Sequence, residues 1–85
     1  MIVRTHRKFD KQYVRPTKKI QEQFKERKNL FIAQPFHRLL NNHSVDDVYP
    51  GWRSINITGD YRALYEEYEG EVLFMRIGTH AELYS

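Results

Sequence analysis

Two short turns in the second half of the chain restrict the fold more than any other feature of the sequence. They are Gly59-Asp60 and Glu69-Gly70. Residues 53–58, before the first turn, alternate polar and apolar side chains. Residues 61–68, between the turns, are rich in β-forming residues, and residues 71–77, after the second turn, have a nearly continuous apolar middle. Alternation is typical of a half-buried strand and a continuous apolar run of a central one. Because connections this short join antiparallel neighbours, we expect these segments to form an antiparallel sheet.

The first half of the chain has the residue spacing of helices. Phe9 and Tyr13 lie four residues apart, and Pro16, which has no backbone N–H, ends a first short helix. Thr17 is a suitable N-cap for a second helix, which should stop before Pro35. The apolar residues of this second helix recur on one face: Ile20, Phe24 and Phe31.

These elements predict an α+β fold, with an N-terminal helical hairpin packed on one face of a three- to four-stranded antiparallel sheet whose other face is open. Ile2 and Val3 are candidates for a short edge strand. The length of 85 residues predicts one domain, 1–85. No apolar run approaches the ~20 residues that cross a bilayer, and charged residues begin at Arg4 without the apolar stretch of a signal peptide. We therefore expect a cytoplasmic protein without membrane contact.

The charge of the chain is unevenly distributed. Eleven Lys and Arg against three acidic residues give residues 1–40 a net charge of +8, while three Arg against eight acidic residues give residues 41–85 a charge of −5. A basic half of this kind fits a polyanion or an acidic protein partner, although a solvated lysine-rich helix is the simpler explanation. If the polyanion is RNA, Lys18 and Lys19 at the start of the second helix are candidate contacts.

Several kinds of site are excluded by residues that the chain lacks. It contains no cysteine, which rules out disulfides, thiol nucleophiles and thiolate metal sites. The sequence has no H-x-x-x-H or H-E-x-x-H spacing for zinc, and neither a glycine-rich nucleotide loop nor a G-x-S-x-G motif. We expect neither a metal nor a cofactor.

Three strand arginines and two loop histidines are the candidates for chemistry. Arg53, Arg62 and Arg76 could together hold a phosphate, because a guanidinium offers a planar fork of donors, or each could simply end a strand. His43 and His80 lie in loops beside the sheet, and histidine is the residue type best suited to general acid and base catalysis at neutral pH. Cations, histidines and exposed aromatic residues without a metal are what metal-independent RNA cleavage needs. The remaining two histidines are expected at the surface or at helix ends: His6 and His37.

The runs RSINITGDYRALY at 53–65 and RIGTHAELY at 76–84 closely resemble the RelE/ParE superfamily of type II toxin–antitoxin toxins. The second run contains the G-T-H-x-x-L-aromatic pattern of the YafQ-like branch. The resemblance implies helices on an antiparallel sheet, and a toxin that enters the ribosomal A site, cuts the mRNA there and is silenced by a cognate antitoxin. The implied partners are therefore an antitoxin, mRNA and the ribosome, with rRNA at the basic helical half.

The resemblance also assigns roles to single residues. His43 matches the loop histidine of the family, Asp60 the turn aspartate and His80 the histidine of G-T-H, so these three are implied to share the proton transfers. Arg62 and Arg76 match arginines that stabilise the charged transition state. Two residues match aromatics that position bases: Tyr61 and Tyr84.

Two departures from the family pattern leave other functions open. Asn56 stands where YafQ-like enzymes carry a second histidine, and an amide cannot act as a base at neutral pH. The loop after His43 carries Asp46 and Asp47, where the family usually has H-P-L-x-G with basic residues nearby. The alternatives to a ribosome-dependent endoribonuclease are a gyrase inhibitor of the ParE branch and a catalytically weakened homologue that acts as a binding module.

Overall fold

A five-stranded mixed sheet carries two helices on one face. The computed structural model describes residues 1–84 and has the strand order β1-β5-β4-β3-β2. No helix among these residues is long and apolar enough to cross a membrane. In chain order the elements are β1 (Ile2–Thr5), α1 (Arg7–Tyr13), α2 (Lys18–Ala33), a 3₁₀ turn (Arg38–Leu40), β2 (His43–Ser44), β3 (Arg53–Asn56), β4 (Tyr61–Tyr68), β5 (Glu71–Thr79) and α3 (His80–Tyr84).

The α+β class is confirmed, but the sheet has five strands rather than three or four and is not wholly antiparallel. The expected edge strand at Ile2 and Val3 is present as β1, and it pairs parallel to β5. The two strands are far apart in sequence, so no hairpin dictates their relative direction. The second addition is β2, which consists of only His43 and Ser44 and pairs antiparallel with β3.

Both predicted turns close hairpins. Glu69 and Gly70 have φ angles of 50° and 80°. A two-residue turn with two positive φ values has the twist that antiparallel strands require. In the β3–β4 connection, the N–H groups of Ile57 and Thr58 both donate to the Tyr61 carbonyl, at 2.9 and 3.3 Å.

A β-bulge interrupts the pairing of β4 with β5. Leu64 pairs with Arg76, but the next residue, Tyr65, pairs with Phe74. Met75 is therefore the extra residue on β5.

The helices cover one face of the sheet, called here the helix face, mainly through aromatic rings. Thr17 caps α2 by accepting from the Ile20 N–H at 3.4 Å, and α2 ends at Ala33, before Pro35, as predicted. Phe24 and Phe31 pack on the ring of Phe74 at centroid distances of 5.3 and 5.7 Å. The buried residues of this core are Phe9, Phe24, Phe31, Leu40, Ile55, Ile57, Ala63, Tyr65, Val72, Phe74 and Ile77.

The opposite face of the sheet, called here the outer face, is not fully open as predicted. The short helix α3 and the loop at 45–52 cover part of it. Val45, Leu64 and Leu83 are buried there, with Tyr49, Trp52 and Tyr84 packed around them. We call these six residues the α3 cluster. The cluster therefore covers the outer face around Leu64, in the middle of β4.

Candidate functional site

The strand register arranges the candidate residues in two rows across the outer face. Neighbouring strands lie ~4.8 Å apart, and residues two apart on one strand ~6.8 Å. Arg62 and Arg76, on adjacent strands and in different rows, therefore have backbones about 8 Å apart, whereas His43 is about 14 Å from Arg76. One row contains His43, Ser54, Leu64 and Arg76, and the other contains Asn56, Arg62 and Gly78.

Arg62 is fixed by the β3–β4 turn. Its Nη1 donates to the carbonyl oxygens of Thr58, Gly59 and Tyr61 at 3.1, 3.1 and 3.2 Å. These acceptors are neutral, and the ion pairs found within residues 1–84 are Arg4–Glu71 and Lys25–Glu22. The charge of Arg62 is thus held in place by neutral acceptors, and no carboxylate among residues 1–84 forms an ion pair with it.

Arg76 lies against Trp52, a residue that no sequence pattern marks as part of the site. Its Nη1 donates to the Met75 carbonyl at 2.8 Å, and its guanidinium carbon is 5.4 Å from the centroid of the Trp52 ring. A cation over an indole face is electrostatically favoured. The indole Nε1 donates to the Glu66 carboxylate at 3.2 Å.

His80 begins α3 and lies next to Asp60. Thr79 and Glu82 form a reciprocal capping box, in which the Thr79 N–H donates to Glu82 Oε1 at 2.8 Å and the Glu82 N–H to Thr79 Oγ1 at 3.2 Å. The His80 N–H donates to the Asp60 carbonyl at 3.1 Å. A Cβ on Gly78 would lie 3.2 Å from Glu82 Oε1, so the glycine lets α3 approach the sheet.

Tyr84 is close to both His80 and Arg62. The His80 and Tyr84 rings, four residues apart on α3, have centroids 4.7 Å apart. Burial raises the pKa of the Tyr84 hydroxyl, the nearby Tyr49 raises it further, and the charge of Arg62 opposes both. The structure therefore brings His80, Asp60, Arg62 and Tyr84 together at one end of the outer face, with Arg76 on the adjacent strand.

His43 shares the outer face but lies on the edge strand β2. Its Nδ1 is 2.7 Å from the Asn41 carbonyl oxygen. Because a carbonyl only accepts, this contact assigns the ring proton to Nδ1 and leaves Nε2 of the neutral ring as a proton acceptor. His43 lies at the far end of the row that contains Arg76.

Arg53 does not join the other two arginines. It pairs with Tyr65 on the helix face, its Nε donates to Asn42 Oδ1 at 2.8 Å, and its guanidinium lies over the Phe36 ring at 5.5 Å. Asn42 Nδ2 in turn donates to the Tyr65 hydroxyl at 2.8 Å and to the Pro35 carbonyl at 2.9 Å. Arg53 therefore ties the loop before β2 to the sheet.

Tyr61 and the two lysines lie on the helix side of the sheet. Tyr61 pairs with Thr79, is half-buried against the main core and lines a cleft of about 230 Å³. Lys18 and Lys19 are exposed in the first turn of α2, directly after the hinge that forms one wall of this cleft. The other lining residues of the cleft are Gln12, Arg15, Pro16, Ile77, Gly78 and Glu82.

The residues that depart from the family pattern have distinct environments. Asn56 pairs with Arg62, and within residues 1–84 its buried Oδ1 has no hydrogen-bond partner. The Asp46 carboxylate accepts from the Gly51 N–H at 2.6 Å, and this hydrogen bond lowers the pKa of Asp46. Asp46 therefore closes the loop at 46–51, whereas Asp47 is exposed at the surface.

The other two histidines cap helical turns, as expected for residues at helix ends. His6 Nδ1 accepts from the Lys8 N–H at 3.0 Å, and His37 Nδ1 accepts from the Leu39 N–H at 3.1 Å. In the part of the chain that the structure describes, no group of three or more His, Cys, Asp or Glu side chains could hold a metal ion.

Comparison with solved structures shows the same fold. YafQ from E. coli strain BL21(DE3) has 21% sequence identity and a TM-score of 0.83, with 98% of this chain and 97% of that chain covered. The E. coli DinJ–YafQ complex has 21% identity and a TM-score of 0.78 at 98% and 97% coverage. The archaeal RelE–RelB complex from Pyrococcus horikoshii OT3 has 16% identity and a TM-score of 0.72, at 92% coverage of each chain.

Comparison of sequences gives the family. A search of curated proteins gives no match. Residues 3–84 match the family described as the ParE toxin of the type II toxin–antitoxin system, parDE. The match spans nearly the whole chain and confirms the RelE/ParE resemblance of its C-terminal half. The chain belongs to the ParE toxin family of type II toxin–antitoxin systems.

Proposed function

We propose that this toxin is a ribosome-dependent, metal-independent endoribonuclease that cuts mRNA during translation. The observation that carries the proposal is the convergence of His80, Asp60 and Arg62 at one end of the outer face, with Arg76 on the adjacent strand. Neither arginine has a carboxylate partner within residues 1–84. Two such guanidinium groups can hold a phosphate, and the side chains of His80 and Asp60, whose backbones meet at this end of the sheet, can transfer protons.

The reaction that fits this arrangement is attack of the ribose 2′-hydroxyl on the adjacent phosphorus. A base takes the 2′-hydroxyl proton, the bond from phosphorus to the 5′-oxygen breaks, and an acid protonates that oxygen. The products are a 2′,3′-cyclic phosphate and a 5′-hydroxyl end. Arg62 and Arg76 stabilise the extra negative charge that the phosphorane carries. His80 supplies one of the two proton transfers, and the other falls to Asp60 or to His43.

The surrounding residues are proposed to bind RNA and protein. Tyr84, which lies at the site, stacks against a base, as aromatic side chains do when unpaired RNA is bound. Tyr61 lies on the helix side of the sheet and takes no part in that stacking. Lys18, Lys19 and the rest of the basic helical half contact phosphates of rRNA. Two of the similar structures are toxin–antitoxin complexes, which supports a cognate antitoxin as a partner of this chain. We place the protein in the cytoplasm, where mRNA is translated.

The test is primer extension on a reporter mRNA in a cell-free translation system, with and without ribosomes. We expect wild-type protein to cut only mRNA that is being translated. His80→Gln retains side-chain polarity but does not titrate, and should lower cleavage about 10²- to 10⁴-fold. His37→Gln makes the same substitution at a histidine outside the site and should retain cleavage. Translated mRNA that stays intact with folded wild-type protein would overturn the proposal.

A gyrase inhibitor is the second candidate, because the matching family is that of ParE. A supercoiling assay with purified gyrase separates the two functions. Inhibition of supercoiling together with uncut mRNA would favour the ParE-like activity. If neither activity is found and an antitoxin still binds, the chain is the weakened homologue that Asn56 suggests.

A further inference from the structure

We propose that Trp52 is a positioning residue that keeps Arg76 free to bind phosphate. The inference rests on the function proposed above and extends its site by a residue that no family pattern pointed to. Three observations carry it: the contact of Arg76 with the indole ring, the hydrogen bond of the indole N–H to Glu66, and the attachment of Trp52 to α3 through Tyr49.

Trp52, the residue before β3, reaches across β4 to Arg76 on β5. It immediately precedes Arg53, which pairs with Tyr65 on β4, so the same register continued by one residue places Trp52 opposite Glu66. Its Nε1 donates to that carboxylate at 3.2 Å, while its ring lies under the Arg76 guanidinium at 5.4 Å. One side chain therefore contacts both the cation and the nearest acid of the adjacent strand.

Glu66 is the acidic residue placed to form an ion pair with Arg76. Leu64 pairs with Arg76, and Glu66 lies two residues further along β4 on the same face, so the two charged residues are diagonal neighbours. Such residues have Cβ atoms about 7–8 Å apart, which side chains of this length can bridge. Within residues 1–84 they nevertheless form no ion pair. A carboxylate bound to Arg76 would compete with a phosphate for the same donors.

The tryptophan is held rigidly. The Tyr49 ring stacks on it at 5.0 Å with an interplanar angle of 6°, and the Tyr49 hydroxyl donates to the Leu83 carbonyl. Tyr49 also packs edge-on against Tyr84, with ring centroids 6.0 Å apart. Tyr49, which holds Trp52 beside Arg76, therefore also contacts α3, the helix that begins with His80.

A purely structural role for Trp52 makes a different prediction from a positioning role. If Trp52 only fills space, its loss damages the site whatever residue 66 is. If Trp52 keeps Glu66 from Arg76, removing the carboxylate in the same molecule restores function. The pair Trp52→Leu and Trp52→Leu/Glu66→Gln therefore separates the two roles. Trp52→Leu/Glu67→Gln is the matched control, since Glu67 precedes Tyr68 on the same strand and pairs with Val72.

The first readout is mRNA cleavage in the cell-free translation assay. We expect Trp52→Leu to lower cleavage about 10- to 100-fold, the loss expected when a charge-assisted contact to phosphate is removed. The Glu66→Gln double variant should recover most of that loss, and the Glu67→Gln double variant none of it. Undiminished cleavage by Trp52→Leu, or the absence of rescue, would overturn the proposal. If Trp52→Leu does not fold, Trp52→Phe with and without Glu66→Gln replaces it, because phenylalanine keeps a ring but lacks the N–H donor.

The second readout requires neither ribosomes nor cleavage. In ¹⁵N-labelled protein the Arg76 Nε–H signal should carry the ring-current shift of the indole and should respond to added inorganic phosphate. Trp52→Leu should remove that shift and weaken the phosphate response, and Glu66→Gln should restore the response. This result together with uncut mRNA would reject the endoribonuclease while supporting the role of Trp52. An Arg76 signal with the same phosphate response in all variants would reject the role of Trp52 instead.

Discussion

Replacement of Leu83 by alanine should release α3 from the sheet while the rest of the fold stays intact. Leu83 is 5% exposed and packs with Val45 and Leu64 on the outer face, whereas the main core on the helix face does not include it. α3 has only five residues. A helix of this length is not stable by itself, so its packing against the sheet holds His80 beside Asp60.

The expected size of the effect follows from the burial of this side chain. Leu→Ala substitutions in protein interiors cost about 2–5 kcal/mol, and the lower part of that range, about 2–3 kcal/mol, suits a cluster of three buried residues. At about 1.4 kcal/mol for each factor of ten, the ratio of docked to undocked α3 should fall about 30- to 150-fold. The core amides of β4 and β5 should stay protected, because the residues that bury them are unchanged.

Hydrogen exchange and cleavage together test this reasoning. In Leu83→Ala the amides of His80 and Glu82, which donate to Asp60 and Thr79, should lose protection, and mRNA cleavage should fall with them. The matched control is Leu30→Ala, because Leu30 packs on the main core and should lower global stability without undocking α3. A Leu83→Ala protein that keeps its α3 amides protected, or that loses protection equally throughout the sheet, would refute the argument.

Three further predictions concern single residues. Gly70→Ala should destabilise the fold by roughly 1–2 kcal/mol in urea denaturation, because φ is +80° with open space around the added Cβ, whereas Gly59→Ala should cost less. The Gly51 N–H lowers the pKa of Asp46. The contribution of Asp46 to stability is therefore present above the unfolded-state pKa of about 3.9 and is lost as pH falls through the folded-state pKa. The Tm difference between wild type and Asp46→Asn should be larger at pH 7 than at pH 2.5. Asn56→His should increase cleavage and add an ionisation near pH 6.5 to its pH profile, and an unchanged profile would place residue 56 outside the proton transfers.

The local signals in the sequence predicted local structure well. Thr17 and Pro35 bracket α2 as expected, and Gly70 takes a positive φ in the predicted turn at Glu69-Gly70. These elements depend on hydrogen bonds between residues close in sequence. The parallel pairing of β1 with β5 could not be predicted in the same way, because nothing in four residues at the N-terminus specifies a partner about 70 positions away.

The candidate site was predictable in part. Thr79 and Glu82 have the T-x-x-E spacing of a capping box, so the start of α3 at His80 could have been found from that signal. Trp52 could not, since its contacts with Glu66 and Arg76 exist only once three strands are aligned. Arg53 shows the opposite case: its position on a strand suggested a phosphate contact, but Asn42 and Phe36, in the segment before β2, engage its guanidinium instead.

The side of the sheet on which Arg76 lies depends on one residue. Val72 and Phe74 face the helices, and strict alternation from them would turn Arg76 toward the helices and Ile77 away. The bulge at Met75 shifts the alternation by one, so that Ile77 enters the core and Arg76 pairs with Leu64 on the outer face. The run Val72-Leu73-Phe74-Met75 is apolar throughout, and its pattern therefore does not reveal where the alternation breaks. A guanidinium beside Trp52, on the same face as Arg62, is a consequence of that bulge, and an arginine in an otherwise apolar strand can be assigned to a site only after its face is known.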